Sequence, residues 1–82
     1  MNDQKTYFTT YDLNLSAVLV SKGFSLEKTE KKISGKALFS FAESKKLFIV
    51  IDQYWKDRLK ISPQKLFNSL KAIKNRLYSS LG

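Results

Sequence analysis

The strongest structural signal in this sequence is the stretch from Ser62 to Leu81, which has the pattern of an amphipathic helix. Ser62 is a suitable N-cap residue, and Pro63 suits the first helical position because its missing N–H would have no helical partner there. Apolar residues then recur every three or four positions and share one face, which consists of Leu66, Leu70, Ile73 and Leu77, with Leu81 at its border. This face has to be covered, so we predict that the helix packs against the rest of a small folded domain.

A second stripe runs along the same helix beside the apolar face, and in it two lysines lie between two aromatic residues. At about 100° per residue, the stripe consists of Phe67, Lys71, Lys74 and Tyr78. Such a surface suits nucleic acid, because ammonium groups neutralise phosphates and aromatic rings stack on bases. A structural alternative is that the two rings complete the core while the lysine methylene stems lie over it.

Charge is distributed unevenly along the chain. Residues 58–82 contain six Lys or Arg and no Asp or Glu, whereas residues 1–57 contain nine basic and seven acidic residues. A net charge of +8 and this acid-free end favour an anionic partner such as DNA or RNA. Lys65 and Arg76 fall on the opposite flank of the last helix, and we interpret them as ordinary solvated surface.

The sequence contains no Cys and no His. This excludes disulfides, thiolate and imidazole metal sites, and the Ser-His-Asp and Cys-His catalytic arrangements. The carboxylates of Asp52 and Asp57 do not converge either, since five positions on a helix separate them by roughly 140°. We therefore expect a non-enzymatic protein with no cofactor and no metal.

Two features bear on location and on domain organisation. The longest unbroken apolar run, Leu47–Ile51, has five residues, whereas a membrane span needs about 18 or more. The N-terminal residues also lack the apolar core of a signal peptide. The sequence thus predicts a soluble, cytoplasmic protein with no membrane partner, with a flexible segment at residues 1–5 and one domain at residues 6–82.

The N-terminal part of that domain predicts a strand followed by a helix. Thr6–Thr10 is β-branched and aromatic, which is typical of a short strand. Asp12 is a suitable N-cap for a short, largely buried helix at Leu13–Lys22, and Gly23 provides its C-terminal stop.

A β-hairpin is predicted after this helix. Its turn residues are at Ile33–Lys36, and its second strand places Ala37, Phe39 and Phe41 on one face. The mixed charges of Glu27–Lys32 indicate a solvated strand tip rather than a site.

The segment Ser44–Lys56 is ambiguous, because Leu47–Ile51 would also suit a buried strand. A helix is favoured by Ser44 as a cap, by apolar residues that recur at three and four positions, and by an ion pair between Asp52 and Lys56. The predicted fold is therefore α+β, in the order β-α-β-β-α-α, with helices packed against a three-stranded sheet.

Tyr54 and Trp55 are adjacent on this predicted helix. Because neighbouring helical positions cannot both point straight inward, one ring is expected to be partly exposed and is a possible partner surface. The structural alternative is that Trp55 anchors the core, as tryptophan often does in a small domain.

Short segments spread over nearly the whole chain form a recognisable set. They are Thr9–Leu13, Gly23-Phe24, Phe39–Ser44, Tyr54-Trp55, Ile61–Phe67, Leu70-Lys71 and Leu77-Tyr78. Together they resemble a small bacterial and phage family that is known only as a domain of unknown function. The resemblance implies the same element order, including a helix across Leu47–Ile51, and it would fit a phage origin. It implies no activity, substrate or catalytic residue.

Two functions of different classes are compatible with these features. The first is a nucleic-acid-binding domain that contacts DNA or RNA through Phe67, Lys71, Lys74 and Tyr78. The alternative is a protein-interaction domain or homodimer, because six Phe, four Tyr and one Trp leave some rings outside a core this small. In that case, pairing through the last helix is the first arrangement to expect.

Overall fold

The computed structural model of the protein describes residues 5–79, and the helices and strands follow the predicted order. They are β1 (Tyr7–Thr10), α1 (Leu13–Ser21), β2 (Leu26–Lys31), β3 (Ala37–Ala42), α2 (Lys45–Trp55) and α3 (Pro63–Ser79). The α+β class and the order β-α-β-β-α-α are confirmed. The predicted position of Leu81 and most of the predicted flexible segment at residues 1–5 lie outside the described residues.

The three strands form an antiparallel sheet in the order β1-β3-β2, so that β3 is the central strand. Phe39 and Phe41 lie on one face of β3 and are almost completely buried. Phe41 is opposite Phe8 on one side and Leu26 on the other. These apolar residues form the face that the helices cover, as the alternation in the sequence predicts.

The hairpin turn between β2 and β3 is also where the sequence places it. The N–H of Lys32 donates to the carbonyl oxygen of Lys36 at 2.8 Å, and the N–H of Gly35 donates to that of Lys32 at 2.9 Å. Gly35 has a φ of 85°, in the left-handed region that glycine adopts without a steric penalty. The side chain of Ile33 at the tip is fully exposed.

Helix α1 is the central element of the helix layer. An Asp12 carboxylate oxygen accepts a hydrogen bond from the backbone N–H of Leu15 at 3.0 Å and so caps the helix. The residues Leu15–Leu19 are all buried, because α1 packs against α2, α3 and β1. Gly23 follows the helix with a φ of 97°, which confirms the predicted stop.

Helix α2 resolves the ambiguity of the apolar run at Leu47–Ile51. The Ser44 hydroxyl oxygen accepts from the N–H of Leu47 at 3.1 Å, and the predicted ion pair joins Lys56 to Asp52 at 3.0 Å. Leu47 is fully buried, and Val50, Ile51 and Tyr54 pack against the core from the same face. The cap and the helical spacing therefore prevailed over the β propensity of the run.

Helix α3 packs through the predicted apolar face. Ile73 is only 2% exposed, and Leu66, Leu70 and Leu77 are partly buried against the same core. Arg76 is exposed, as the sequence predicts, but its guanidinium Nη1 also donates to the carbonyl oxygen of Leu26 at 2.8 Å, a contact that was not predicted. Its partner is distant in sequence, so helix periodicity alone does not reveal it.

Within residues 5–79, no helix has both the length and the hydropathy that a membrane crossing requires.

Candidate functional site

The four residues of the aromatic and lysine stripe all lie on the outer surface of α3. Phe67 is 63% exposed and Tyr78 is 69% exposed, and both lysines are exposed as well. The alternative in which the two rings complete the core is therefore wrong. The four side chains span an arc of about 60° around the helix and about 16 Å along it. We refer to Phe67, Lys71, Lys74 and Tyr78 as the α3 flank.

Contacts on the other sides of α3 determine where this flank points. Ile73 is buried in the core beneath the helix, and Arg76 is hydrogen-bonded to the start of β2. At about 100° per residue, the centre of the α3 flank lies about 170° from Arg76. Because α3 is packed on the core through its apolar face and hydrogen-bonded to β2 on the side opposite the α3 flank, the α3 flank is left in solvent.

The electrostatics of the α3 flank are those of an unneutralised basic surface. Helix α3 has no acidic residue. Among the described residues, the side-chain ion pairs join Lys32 to Glu30 and Lys56 to Asp52, so Lys71 and Lys74 have no carboxylate partner. Two free ammonium groups between two exposed rings can bind an anion that also carries flat apolar groups.

The second predicted pair divides between the core and the surface. Tyr54 packs against the core, and partial burial, together with the nearby Asp12 carboxylate, raises the pKa of its phenol above the ordinary value of 10.0. Trp55 is 65% exposed and its ring meets that of Tyr54 edge-on at 5.0 Å. The prediction that one ring is exposed is confirmed, whereas the alternative of Trp55 as a core anchor is wrong.

Sequence reasoning missed an exposed apolar surface on α2. Phe48 is 44% exposed and touches Phe8 edge-on at a ring distance of 6.2 Å, and Ile49 is 56% exposed. A shallow cleft of about 430 Å³ lies here, lined by Phe48, Ile49, Asp52, Gln53, Lys56 and Arg58. The signal was present in the sequence, since five consecutive apolar residues on a helix cannot all face one core.

The described residues contain no group of three or more His, Cys, Asp or Glu side chains placed to hold a metal ion.

Comparison with known proteins gives one result that identifies the chain. No curated protein and no solved structure matches it. A family model matches residues 5–79, which is nearly the whole chain, and this confirms the resemblance to a domain of unknown function. The bacterial or phage origin stays a prediction. The chain belongs to the family described as Domain of unknown function (DUF5659).

Proposed function

We propose that this domain is a non-enzymatic nucleic-acid-binding module that uses the α3 flank to hold a single strand. In this proposal, Lys71 and Lys74 contact backbone phosphates while Phe67 and Tyr78 stack on bases. Either DNA or RNA satisfies this chemistry, because both have a charged backbone and flat bases.

The observation that carries the proposal is the exposure of both rings beside two unpaired lysines. Phe67 and Tyr78 leave most of their surface in water, so neither ring contributes much to the core. Stacking of a base on an aromatic side chain gives about 1–3 kcal/mol per base. In a duplex the base faces are stacked on neighbouring base pairs, so they are not free to stack on Phe67 or Tyr78. The basic residues Lys65 and Arg76 also lie on the far side of α3, so a single strand fits better than a duplex.

The size of the α3 flank sets the scale of the interaction. Its length of about 16 Å accommodates a few nucleotides, which falls at the small end of the sites seen in single-strand-binding folds. Two lysines account for about two phosphate contacts, each of which adds about 0.7 to the slope of log affinity against log salt for a single strand. We therefore expect weak binding with a modest salt dependence, because two contacts give a slope of only about 1.4.

The test is a fluorescence anisotropy titration with labelled single-stranded DNA and RNA of about 20 nucleotides, and with the duplex, at about 50 mM salt. The double variant Lys71→Glu/Lys74→Glu should fold normally and lose binding. Its matched control is Lys36→Glu/Lys65→Glu, in which two exposed lysines away from the α3 flank are reversed. Both variants reduce the net charge from +8 to +4, since each Lys→Glu change removes two charges.

Three outcomes decide the proposal. Loss of binding in the α3-flank variant, with binding kept in the control, supports it. Equal loss in both variants means that only net charge matters, and the specific site is then wrong. Absence of binding by the unmodified protein up to tens of micromolar at low salt contradicts the proposed function altogether.

A further inference from the structure

The exposed face of α2 has a charge pattern that is complementary to itself. Lys45 and Asp52 are seven residues apart and therefore only about 20° apart around the helix. Phe48 and Ile49 lie midway between them, about 50° to either side of the line that joins the two charges. Lys45, Phe48, Ile49 and Asp52 are all exposed, and they form what we call the α2 face.

A twofold axis perpendicular to α2, at the level between Phe48 and Ile49, can relate the α2 face to the same face of a second copy so that unlike charges meet. In an antiparallel pair of α2 helices, Lys45 of one copy lies opposite Asp52 of the other, about 5 Å along the helix from the axis. The same rotation places Phe48 opposite Phe48 of the second copy, and Ile49 opposite Ile49. Two apolar contacts in the centre are then flanked by two ion pairs, which is how a twofold interface repeats one set of contacts.

The charges at the ends of α2 favour the same antiparallel arrangement. Lys45 and Lys46 occupy the first turn, where the helix dipole favours anions, and the last turn contains no basic residue. These lysines are therefore poorly placed for their own helix. In an antiparallel pair they approach the C-terminal half of the second helix, where Asp52 and the partial negative charge of the helix end lie.

From this geometry we infer that α2 pairs with α2 of a second copy of the chain. The pair is antiparallel, with Phe48 and Ile49 in its centre and a Lys45–Asp52 ion pair on each side. The carboxylate of Asp52 also accepts from Lys56 of its own helix, at 3.0 Å, and its four lone-pair sites allow both contacts. The shallow cleft beside Phe48 and Ile49 gives room for side chains of the second copy.

The dimer is expected to be weak. Stable interfaces bury about 800 Å² on each partner, and an eleven-residue helix about 16 Å long offers less than that. The dissociation constant should therefore fall between about 10 µM and 1 mM, which is the range of a weak interaction. Self-association does not depend on the proposed nucleic-acid binding and is measured with no nucleic acid present.

The experiment is sedimentation velocity on the whole chain from about 10 µM to about 1 mM. The unmodified protein should dimerise, and Ile49→Lys, Lys45→Glu and Asp52→Lys should each raise the dissociation constant at least about tenfold. The double variant Lys45→Glu/Asp52→Lys exchanges the two charges and should recover most of the affinity. Controls are Lys46→Glu, about 110° from the centre of the α2 face, and Ile33→Lys on the hairpin tip.

The charge exchange makes the inference falsifiable even if one variant is poorly folded, because recovery requires the two positions to face each other. A protein that is monomeric at about 1 mM overturns the inference. It is also overturned if the dimer tolerates Ile49→Lys, or if both single charge variants weaken the dimer and the double variant does not recover.

Discussion

The guanidinium of Arg76, in the last turn of α3, donates a hydrogen bond at 2.8 Å to the backbone carbonyl oxygen of Leu26, 50 residues earlier in the chain. Leu26 is the first residue of β2, an edge strand of the sheet. This bond joins the C-terminal helix to the sheet on the side of the helix opposite the α3 flank. This bond therefore helps to attach α3 to the sheet without using any side chain of the proposed site.

Removing this contact should weaken the fold without removing the site. We expect Arg76→Ala to lower the free energy of unfolding by about 1 kcal/mol, the net value of one hydrogen bond. Lys65→Ala, on the same side of α3, is the control and should change it by less than about 0.5 kcal/mol. Urea denaturation followed by circular dichroism measures both. Equal stability of the Arg76→Ala and unmodified proteins would show that the bond contributes nothing in solution.

The two exposed rings of α3 should affect binding and leave stability nearly unchanged. Phe67→Ala and Tyr78→Ala should each weaken single-strand binding by about five- to 150-fold, since one stacked base is worth about 1–3 kcal/mol. The control is Tyr11→Ala, which removes an exposed ring that does not belong to α3. Anisotropy titrations and urea denaturation give the two quantities. A large loss of stability in Phe67→Ala would mean that the ring packs against the protein after all.

Local signals in the sequence were sufficient to predict the helices and strands. Asp12 and Ser44 cap α1 and α2 through hydrogen bonds to residues three positions on, and such bonds depend only on neighbouring residues. The buried face of α3 follows in the same way from the spacing of apolar residues. Periodicity reveals which side of a helix or strand is apolar, and these predictions required no more than that.

Contacts between distant segments could not be predicted in this way. The alternation at Phe39 and Phe41 identifies a buried face but does not say which strands lie beside β3, so the order β1-β3-β2 came only from the structure. The hydrogen bond of Arg76 was not predicted because its acceptor is a backbone carbonyl, which has no sequence signature. Whether Trp55 is buried could not be predicted, because a helical wheel does not show how far the neighbouring elements extend over a helix. In the structure they cover only one side of α2, and Trp55 is exposed.

The burial of Tyr54 should make stability depend on alkaline pH. The raised pKa means that the folded state holds the phenol proton more tightly than the unfolded chain does. Its contribution to the free energy of unfolding is thus complete below the ordinary pKa of 10.0 and is lost as pH rises through the folded value. As pH rises from about 9 to about 11, the free energy of unfolding should therefore fall less for Tyr54→Phe than for the unmodified protein. Urea denaturation across this range is the measurement.

Asp12 offers a matched variant for the same effect. Its carboxylate is the second cause of the raised pKa of Tyr54, after desolvation. Because asparagine caps a helix about as well as aspartate, Asp12→Asn should remove the charge and keep the cap of α1. The absorbance change of Tyr54 ionisation should then move to lower pH. Identical titration curves for the two proteins would contradict the assigned role of Asp12.

Substitutions of two consecutive residues of α3 should have different effects, one on stability and the other on nucleic-acid binding. Ile73 is buried in the core and Lys74 is exposed on the α3 flank, although their positions differ by only about 100° around the helix. Ile73→Ala should lower the free energy of unfolding by about 2–5 kcal/mol, and Ile73→Val by about 0.5–1.5 kcal/mol. Lys74→Ala should leave it within about 0.5 kcal/mol.

For nucleic-acid binding, the Lys74 substitution should have the larger effect and the Ile73 substitution the smaller one. Ile73→Val keeps the fold at room temperature, because a domain with about 5–15 kcal/mol of stability tolerates that loss, and it should bind a single strand as the unmodified protein does. Lys74→Ala should weaken binding and reduce the salt slope by about 0.7, the value of one phosphate contact on a single strand. If Ile73→Val weakens binding as much as Lys74→Ala, the site depends on the packing of the whole helix, and the α3 flank alone does not define it.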